Sequence, residues 1–442
     1  MRIRRYPGAL TTTIPLIKKK LTGFLGDVEV TQKSMEITIH RGADEIGGSC
    51  VQMTAGDRSI LIDAGSPLGE SSAEVDLTTL KFDAVFISHP HKDHYGLIEG
   101  LDPTTPVYIG KIARALMDAT RIFLGQPRLT NNFRHFQPRQ WVEFGDFKVK
   151  PFLMDHSCVD AYGFLIEAEG KRVYYSGDFR AHGRKKKLFD WIVSDPPRDV
   201  DVLLMEGTMM KRDNSATSDE NHVEEKMVRI LKTHSTEPCF LICSGQHIDR
   251  LCAAFRACIQ SSRKLVVDIY TAYVLRLVSS YLPNVPDISR TDGIKVLTKG
   301  LTAQRHYSKI SASRKGFGRF LSDVFKNGSA IDLDEVVGNG RKYFIKVSNF
   351  SDILKSIDRC AVVYSMWTGY LDQNKYSFLK NDPKISLYEI HTSGHATKDN
   401  LSKFVQSIGP ELLIPIHTEY PDDYKELYKN TKILKTGENH FV

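Results

Sequence analysis

A cluster of histidine and aspartate residues directly after one apolar run constrains the fold of this sequence more than any other feature. The apolar run Ala84–Ile87 predicts a buried strand. Just beyond it, the six positions 89–94 hold four ligand-type residues: His89, His91, Asp93 and His94. They therefore lie on the loop after the strand, where neighbouring side chains can turn toward two different metal ions. Imidazole and carboxylate ligands suit zinc, and a mixed set with an open position is typical of a catalytic site.

Four more polar residues follow apolar runs in the same way. We expect Asp63 to orient a ligand imidazole and His156 to complete a group of three histidines. Asp178 could bridge two metal ions through its two oxygens, and His417 would add a last imidazole. Taken singly, an aspartate at a strand end is usually a turn residue, and a lone histidine is usually a hydrogen-bonded core residue. Only the joint placement of these residues indicates a site.

The pattern of apolar runs divides the chain into segments. Residues 1–34 form a polar, basic lead-in without periodicity. Residues 35–209 alternate short strands with helices, one of them predicted over 111–124, and this pattern favours an α/β sandwich with its site along one sheet edge. We predict that residues 210–375 form a second domain inserted into the first, which resumes over 376–442.

Strands and helices alternate regularly in the inserted segment, as is typical of a parallel sheet. The predicted helices span 218–232, with Ser218 as the cap, 248–260 and 272–281. The predicted strands span 240–243, 265–269, 360–364 and, beyond the segment, 386–390. Residues 284–345 show a less regular pattern and include the basic run from Arg305 to Arg319.

Composition excludes several classes of protein. The 442 residues are too many for one ordinary core, and no run approaches the ~20 apolar residues of a membrane span. The seven cysteines form no CxxC pair, which favours reduced thiols and a cytoplasmic location. Lys and Arg number 60 against 53 Asp and Glu, and this mild excess permits a polyanionic partner without requiring one.

The order of the strand-end motifs resembles the metallo-β-lactamase superfamily. Asp63, the run 89–94, His156 and Asp178 match its first four motifs. The segments 203–208, 391–395 and 415–417 resemble motifs A, B and C of its β-CASP branch, whose members are nucleic-acid nucleases. RNase J and the endonuclease of the cleavage and polyadenylation machinery belong to this branch. The resemblance covers residues 35–442, is weaker over 284–345 and does not extend to 1–34.

The resemblance implies an αββα sandwich with an inserted β-CASP α/β domain. It also implies two zinc ions per chain, with manganese as an alternative. One ion would be held by His89, His91, His156 and Asp178, and the other by Asp93, His94, Asp178 and His417. A hydroxide bridging the two metals would attack the phosphodiester bond of RNA.

We assign a catalytic role to three further residues: Asp63, Glu206 and His395. His395 would protonate the leaving oxygen, and Glu206 would raise its pKa and fix its tautomer. Contacts to the substrate are expected from Ser244 and Arg250, because 244–250 is similar to the Ile-Asp-Arg stretch of the family, and from three residues of motif B: His391, Ser393 and Gly394.

Several interpretations stay open at this stage. The expected partner is single-stranded RNA, but DNA nucleases share this architecture, and a small-molecule metallo-hydrolase or a non-catalytic scaffold could also use the fold. The inserted domain argues against a small-molecule hydrolase, and the complete ligand set argues against a non-catalytic scaffold. Endonuclease action, 5′ exonuclease action and a homodimer are all compatible with the sequence.

Overall fold

The computed structural model describes residues 34–68, 74–212, 219–311, 317–346, 357–373 and 375–442. Nearly all of the predicted lead-in, 1–34, lies outside these ranges. Three β-sheets organise the described residues. Buried and partly exposed residues alternate along Glu36–Arg41, as expected of a strand that packs one face against the core.

The first two sheets pack face to face. The spatial order of the first is Asn439–Phe441, Glu36–Arg41, Cys50–Ala55, Arg58–Ile62, Ala84–Phe86, Pro106–Ile109 and Asn132–His135. The order of the second is Leu412–Pro415, Val202–Met205, Lys171–Tyr175, Ala161–Ala168, Phe147–Met154 and Val142–Phe144. Side chains of both sheets, among them Ile37, Phe86, Phe164 and Leu204, share one buried core.

Helices cover the outer faces of this pair of sheets. Lys111–Leu124 packs on the first sheet and has the bounds predicted from the sequence. Lys187–Ser194 and Lys398–Ile408 pack on the second sheet. The result is an αββα sandwich, and the predicted fold class is confirmed.

The third sheet is parallel throughout and is inserted between two strands of the second. Its spatial order is Ala330–Ile331, Ile294–Leu297, Lys264–Val267, Tyr343–Lys346, Cys239–Ile242, Cys360–Tyr364 and Ile385–Glu389. Its last strand lies beyond the predicted domain boundary at 375/376, so the chain returns to the sandwich only after Glu389. The division of the chain into these segments stays a prediction.

The remaining helices span Lys92–Tyr95, Glu220–Thr233, Ile248–Gln260, Ile269–Ser279, Leu301–Ser311, Phe317–Lys326, Leu333–Gly338, Phe378–Asn381 and Tyr424–Leu427. The helix predicted over 218–232 is capped by Asp219, whose side chain accepts from the amide of His222, and Ser218 lies outside the described residues. The stretch 284–345 is more regular than expected from the sequence. Its strands have only two to four residues, which is too short to give a clear sequence pattern. No helix of the described residues is long and apolar enough to cross a bilayer.

Candidate metal centre

The predicted ligands meet at one edge of the sandwich because each follows the end of a strand. His89 comes after Ala84–Phe86, and His156 after Phe147–Met154. Asp178 and His417 follow their own strands in the second sheet, and Asp93 and His94 lie in the short helix Lys92–Tyr95. We call the assembled residues the histidine cluster: His89, His91, Asp93, His94, His156, Asp178 and His417.

Three imidazole nitrogens converge in one half of the histidine cluster. Nε2 of His89 lies 3.1 Å from Nδ1 of His91, which lies 3.2 Å from Nε2 of His156. Ligand nitrogens on one tetrahedral zinc stand about 3.3 Å apart, given Zn–N bonds near 2.0 Å. The spacing therefore fits three ligands of one ion. The thiol of Cys158 lies in the same group, within 4.8 Å of these nitrogens.

Asp178 lies between the two halves. Its Oδ2 atom is 3.2 Å from Nε2 of His94 and 3.6 Å from Nε2 of His89. The same oxygen is 3.9 Å from Nε2 of His417 and 4.0 Å from Nε2 of His156. One carboxylate oxygen thus faces ligands from both halves, which is the position a bridging ligand requires.

The second half is formed by Asp93, His94 and His417. Oδ2 of Asp93 lies 3.7 Å from Nε2 of His94 and 3.9 Å from Nε2 of His417. The described part of the chain offers no hydrogen-bond partner to Nε2 of His417, although the side chain is buried. A buried imidazole nitrogen without a partner is costly unless it binds something, so the donor set fits a metal ion.

Hydrogen bonds on the far side of each ring fix its orientation. Nδ1 of His94 lies 2.8 Å from Asp63, which also accepts from the Ser88 amide and from the hydroxyl of Tyr175, each at 2.7 Å. Nδ1 of His417 lies 2.9 Å from the hydroxyl of Ser49. With Nδ1 engaged, Nε2 of each ring is left for a metal.

Backbone strain occurs at two of these functional positions. Asp63 and His417 adopt positive φ angles of 61° and 51°, which are unfavourable for residues with a Cβ atom. Such strain persists where the surroundings over-determine the geometry, and it concentrates at functional sites. Here Asp63 contacts Nδ1 of His94, and Nε2 of His417 lies 3.9 Å from Asp178.

The ionisation of the histidine cluster suits metal binding. Burial lowers the pKa of His89 and His156 well below the ordinary value, so both rings keep a free lone pair. Burial would also lower the pKa of His94, but the carboxylates around it, Asp178 first, raise it well above the ordinary value. Burial would raise the pKa of Asp178, yet the facing imidazoles hold it well below the usual range. These carboxylates favour a cation at His94, and a bound metal would displace its proton.

His395 lies beside the histidine cluster, with its side chain 20% exposed. Its Nδ1 atom is 3.3 Å from Oε1 of Glu206 and 3.8 Å from Oδ2 of Asp178. Burial would lower the pKa of His395, but the Glu206 and Asp178 carboxylates raise it to about 8. The ring is thus protonated at neutral pH and reachable from the solvent.

The predicted substrate contacts differ in their surroundings. Ser393 and Gly394 sit in the loop before the helix Lys398–Ile408, and a Cβ atom at Gly394 would stand 3.3 Å from the ring of His156. Ser244 is exposed, whereas burial lowers the pKa of His391 to about 3.

Arg250 is fully buried. Its guanidinium donates to Glu220 at 3.1 Å and to the backbone of Ser365, also at 3.1 Å. These bonds direct it into the protein interior rather than toward the solvent. The predicted phosphate contact of Arg250 therefore stays a prediction.

Sequence reasoning missed residues that support the ligands. Ser49, Tyr175 and Cys158 carry no motif of their own, although Cys158 stands two positions after His156. Arg180, two positions after Asp178, was also missed and is fully buried. Partners of this kind become visible only when the strands are brought together.

Comparison with known proteins agrees with this geometry. A family model described as a beta-lactamase superfamily domain matches residues 58–276. A second model, described as a Zn-dependent metallo-hydrolase RNA specificity domain, matches residues 384–440. Together they cover more than half of the chain. The chain belongs to the β-CASP, ribonuclease J-like branch of the metallo-β-lactamase superfamily. It is a metal-dependent hydrolase, and the predicted family and enzyme class are confirmed.

Individual relatives are distant in sequence. Ribonuclease J of Mycoplasma pneumoniae is 23% identical over 405 residues, which is 86% of this chain and 67% of that protein. A protein of Methanocaldococcus jannaschii named "Probable RNase MJ4" is 23% identical over 418 residues, 87% of this chain and 93% of that protein. A crystal structure of a protein of unknown function from Enterococcus faecalis V583 aligns with a TM-score of 0.72 at 19% identity, over 92% of this chain and all of the other. That likeness supports the fold.

Proposed function

We propose that this metallo-β-lactamase superfamily member is a zinc-dependent ribonuclease that hydrolyses phosphodiester bonds of single-stranded RNA. Two relatives named as ribonucleases and a matching RNA specificity domain support this substrate class. The observation that carries the proposal is the convergence of imidazoles from both halves of the histidine cluster on one oxygen of Asp178. We further propose that the enzyme acts in the cytoplasm.

The proposed ligand sets follow from this geometry. His89, His91 and His156 would hold one zinc ion, Asp93, His94 and His417 would hold the second, and Asp178 would serve both. Two zinc ions bound there would lower the pKa of a bound water to about 7 and would neutralise charge on the phosphate. Asp63 keeps Nε2 of His94 directed at the site.

The chain itself supplies the proton for the leaving oxygen. Nδ1 of His395 faces Glu206, so the ring keeps its second proton on Nε2, where it can be donated to the leaving alkoxide. The raised pKa of about 8 keeps this acid charged at neutral pH. Glu206 is itself held by the amides of Phe179 and Thr208, at 3.2 and 3.0 Å, which fixes the carboxylate that orients the ring.

The loop of Ser393 and Gly394 is the proposed phosphate contact. It precedes the 11-residue helix Lys398–Ile408, whose N-terminus carries a positive partial charge that favours a phosphate group. His391 flanks this loop. The exposed Ser244 is proposed to contact the RNA chain at a phosphate further along.

The test is cleavage of end-labelled single-stranded RNA and DNA of one sequence, each with a 5′-monophosphate or a 5′-hydroxyl. We expect RNA to be cut, with a fragment ladder that separates internal cutting from trimming at the 5′ end. The double variant Asp93→Ala, His94→Ala should be inactive. The double variant Asp146→Ala, His135→Ala loses the same residue types from exposed positions and should stay active.

The other outcomes are equally informative. Preferential cutting of DNA would replace the proposal by a DNA nuclease of the same fold. If neither polymer were cut by protein that contains two zinc ions per chain, the nuclease proposal would fail, and small-molecule esters would be the next substrates.

A further inference from the structure

A second buried group of charged residues lies beside the histidine cluster, where the inserted segment meets the sandwich. We call it the interdomain ion cluster, and its members are Asp155, Arg180, Arg184, Lys185, Glu220, Glu224, Asp249 and Arg250. Four carboxylates face four cations, so the charges balance. The basic residues at 184 and 185 are thereby turned toward acids of the inserted segment rather than toward an open groove.

Arg180 lies at the centre of the interdomain ion cluster. The side chain is fully buried and reaches Asp249 at 2.6 Å and Glu220 at 3.0 Å, both on helices of the inserted segment. It also lies 3.4 Å from Asp155, the residue before the ligand His156. The guanidinium fork therefore joins two ligand-bearing strand ends of the sandwich to the inserted segment.

The same guanidinium holds the loop that carries His395. The carbonyl of Ser393 accepts from Nη1 of Arg180 at 3.1 Å and lies 2.8 Å from Nε2 of His182. The next carbonyl, that of Gly394, lies 2.6 Å from Nδ1 of His156. The backbone just before His395 is thus fixed from the ion cluster on one side and from a metal ligand on the other.

Stability alone does not explain so many buried charges. Removing two ions from water costs several kcal/mol per ion, and apolar residues of similar volume often serve stability as well or better. What a buried guanidinium adds is geometry, because its planar fork of five donors fixes several acceptors at once, which a lysine ammonium does not do. Arg180 uses this fork on two carboxylates of the inserted segment and on the loop of the proposed acid.

We propose that Arg180 is a positioning residue for His395, which it holds in place only while the inserted segment is docked on the sandwich. The inference rests on the proposed ribonuclease function. It implies that docking of the inserted segment on the sandwich sets the geometry of the proton donor. A small displacement of the loop would misplace the acid without removing any metal ligand.

The first variant is Arg180→Lys, which keeps the charge and loses the fork. We expect kcat on single-stranded RNA to fall about tenfold or more, with KM within about threefold of the wild type and zinc content unchanged. Arg263→Lys is the matched control. Arg263 is also a buried guanidinium of the inserted segment, but it donates to backbone carbonyls outside the loop, such as that of Tyr343 at 2.9 Å. It should leave kcat at the wild-type level.

A double-mutant cycle separates positioning from general structural damage. If Arg180 acts through His395, Arg180→Lys should have no further effect on kcat in a His395→Ala background. Asp249→Asn, which weakens the same fork while keeping an acceptor, should show the same pattern with a smaller effect. It keeps the proposal testable if Arg180→Lys does not fold.

Two results would overturn the inference while leaving the ribonuclease proposal intact. One is wild-type kcat in Arg180→Lys, and the other is an equal loss from Arg180→Lys with and without His395. A wild-type protein that cuts no RNA would instead refute the proposed function itself.

Discussion

Two buried clusters of charged and titratable groups lie side by side in this protein, and they are built in opposite ways. In the interdomain ion cluster, charges pair with opposite charges, as in Arg180 with Asp249 at 2.6 Å and Arg250 with Glu220 at 3.1 Å. In the histidine cluster, nitrogens face nitrogens, and Nε2 of His417 has no hydrogen-bond partner among the described residues. The two clusters are therefore similarly buried, but the side chains of one are paired with opposite charges and the ligand atoms of the other are not.

The difference indicates what each cluster needs. In the interdomain ion cluster each carboxylate faces a cation, so the cluster can serve as a fixed joint between sandwich and inserted segment. The histidine cluster is complete only with cations, because its lone pairs and its central carboxylate point at one another. Unpaired buried ligand atoms thus distinguish a metal centre from a structural ion network when no motif is known.

The largest effect is expected at the shared ligand. Asp178→Ala removes the oxygen that faces both halves of the histidine cluster, so RNA cleavage should fall by about three orders of magnitude or more. Initial rates with labelled RNA measure this loss. The comparison of the two clusters would break if Asp178→Ala cut RNA as the wild type does.

Glu220→Gln should act on stability rather than on metal binding. It leaves Arg180 and Arg250 buried beside a neutral amide, which should cost about 3–5 kcal/mol of the free energy of unfolding. Urea denaturation at neutral pH measures this difference. A loss of less than about 1 kcal/mol would mean that the interdomain ion cluster is open to water and not the closed joint described here.

The same variant gives a pH test with a defined sign. Burial would raise the pKa of Glu220, but Arg250, His247 and Arg180 outweigh it and hold the pKa well below 4.5. The carboxylate therefore contributes stability above pH 4.5 that is lost as the pH falls toward the lower folded-state value. The acid-induced loss of stability should be less steep in Glu220→Gln than in the wild type. Equal slopes of stability against pH in the two proteins would contradict this role of the Glu220 carboxylate.

Glu206→Gln tests the link between the histidine cluster and the proposed acid. Because the acid must be protonated, kcat should fall as the pH rises through the pKa of His395, about 8 in the wild type. Loss of the Glu206 carboxylate lowers this pKa, so the falling limb should move to lower pH, with about a tenfold loss of kcat at pH 8. If the falling limb of the pH profile did not move, it would reflect the titration of a group other than His395.

The smallest effect is expected at the surface. Ser244→Ala removes an exposed hydroxyl, so KM for RNA should rise only about twofold to threefold, without a change in metal content or in the free energy of unfolding. Steady-state kinetics measures it. A loss in kcat comparable to that of Glu206→Gln would place Ser244 at the reacting phosphate.

The sequence predicts the sandwich well because its strands carry strong local signals. The helix Lys111–Leu124 has the predicted bounds, since its apolar residues recur at helical spacing and glycines flank it. Residues 284–345 were harder to read, because strands such as Ala330–Ile331 are too short for a pattern, and their burial depends on neighbours distant in sequence. The strand Ile385–Glu389 was predicted nearly in place, but its pairing with Cys360–Tyr364 depends on the fold and carries no sequence signal.

The candidate site could be predicted as far as its motifs extend. His89, His94 and Asp178 stand in recognisable spacings, and the structure brings them together. Ser49 and Arg180 could not be predicted, because their role depends on contacts with residues more than 200 positions away in sequence, as in the bond from Ser49 to His417 and that from Arg180 to Ser393. The candidate ligands can be predicted from the sequence, but the residues that hold them in place can be identified only from the folded structure.

The measurement that tests the central claim most directly is the zinc content of purified protein by elemental mass spectrometry, after dialysis into metal-free buffer. The account predicts two equivalents per chain in the wild type and in Glu220→Gln, and fewer than one in Asp178→Ala. This pattern would mean that the histidine cluster binds the metal and that the interdomain ion cluster does not. Equal zinc content in Asp178→Ala and wild type, or loss of zinc in folded Glu220→Gln, would contradict the distinction between the two clusters.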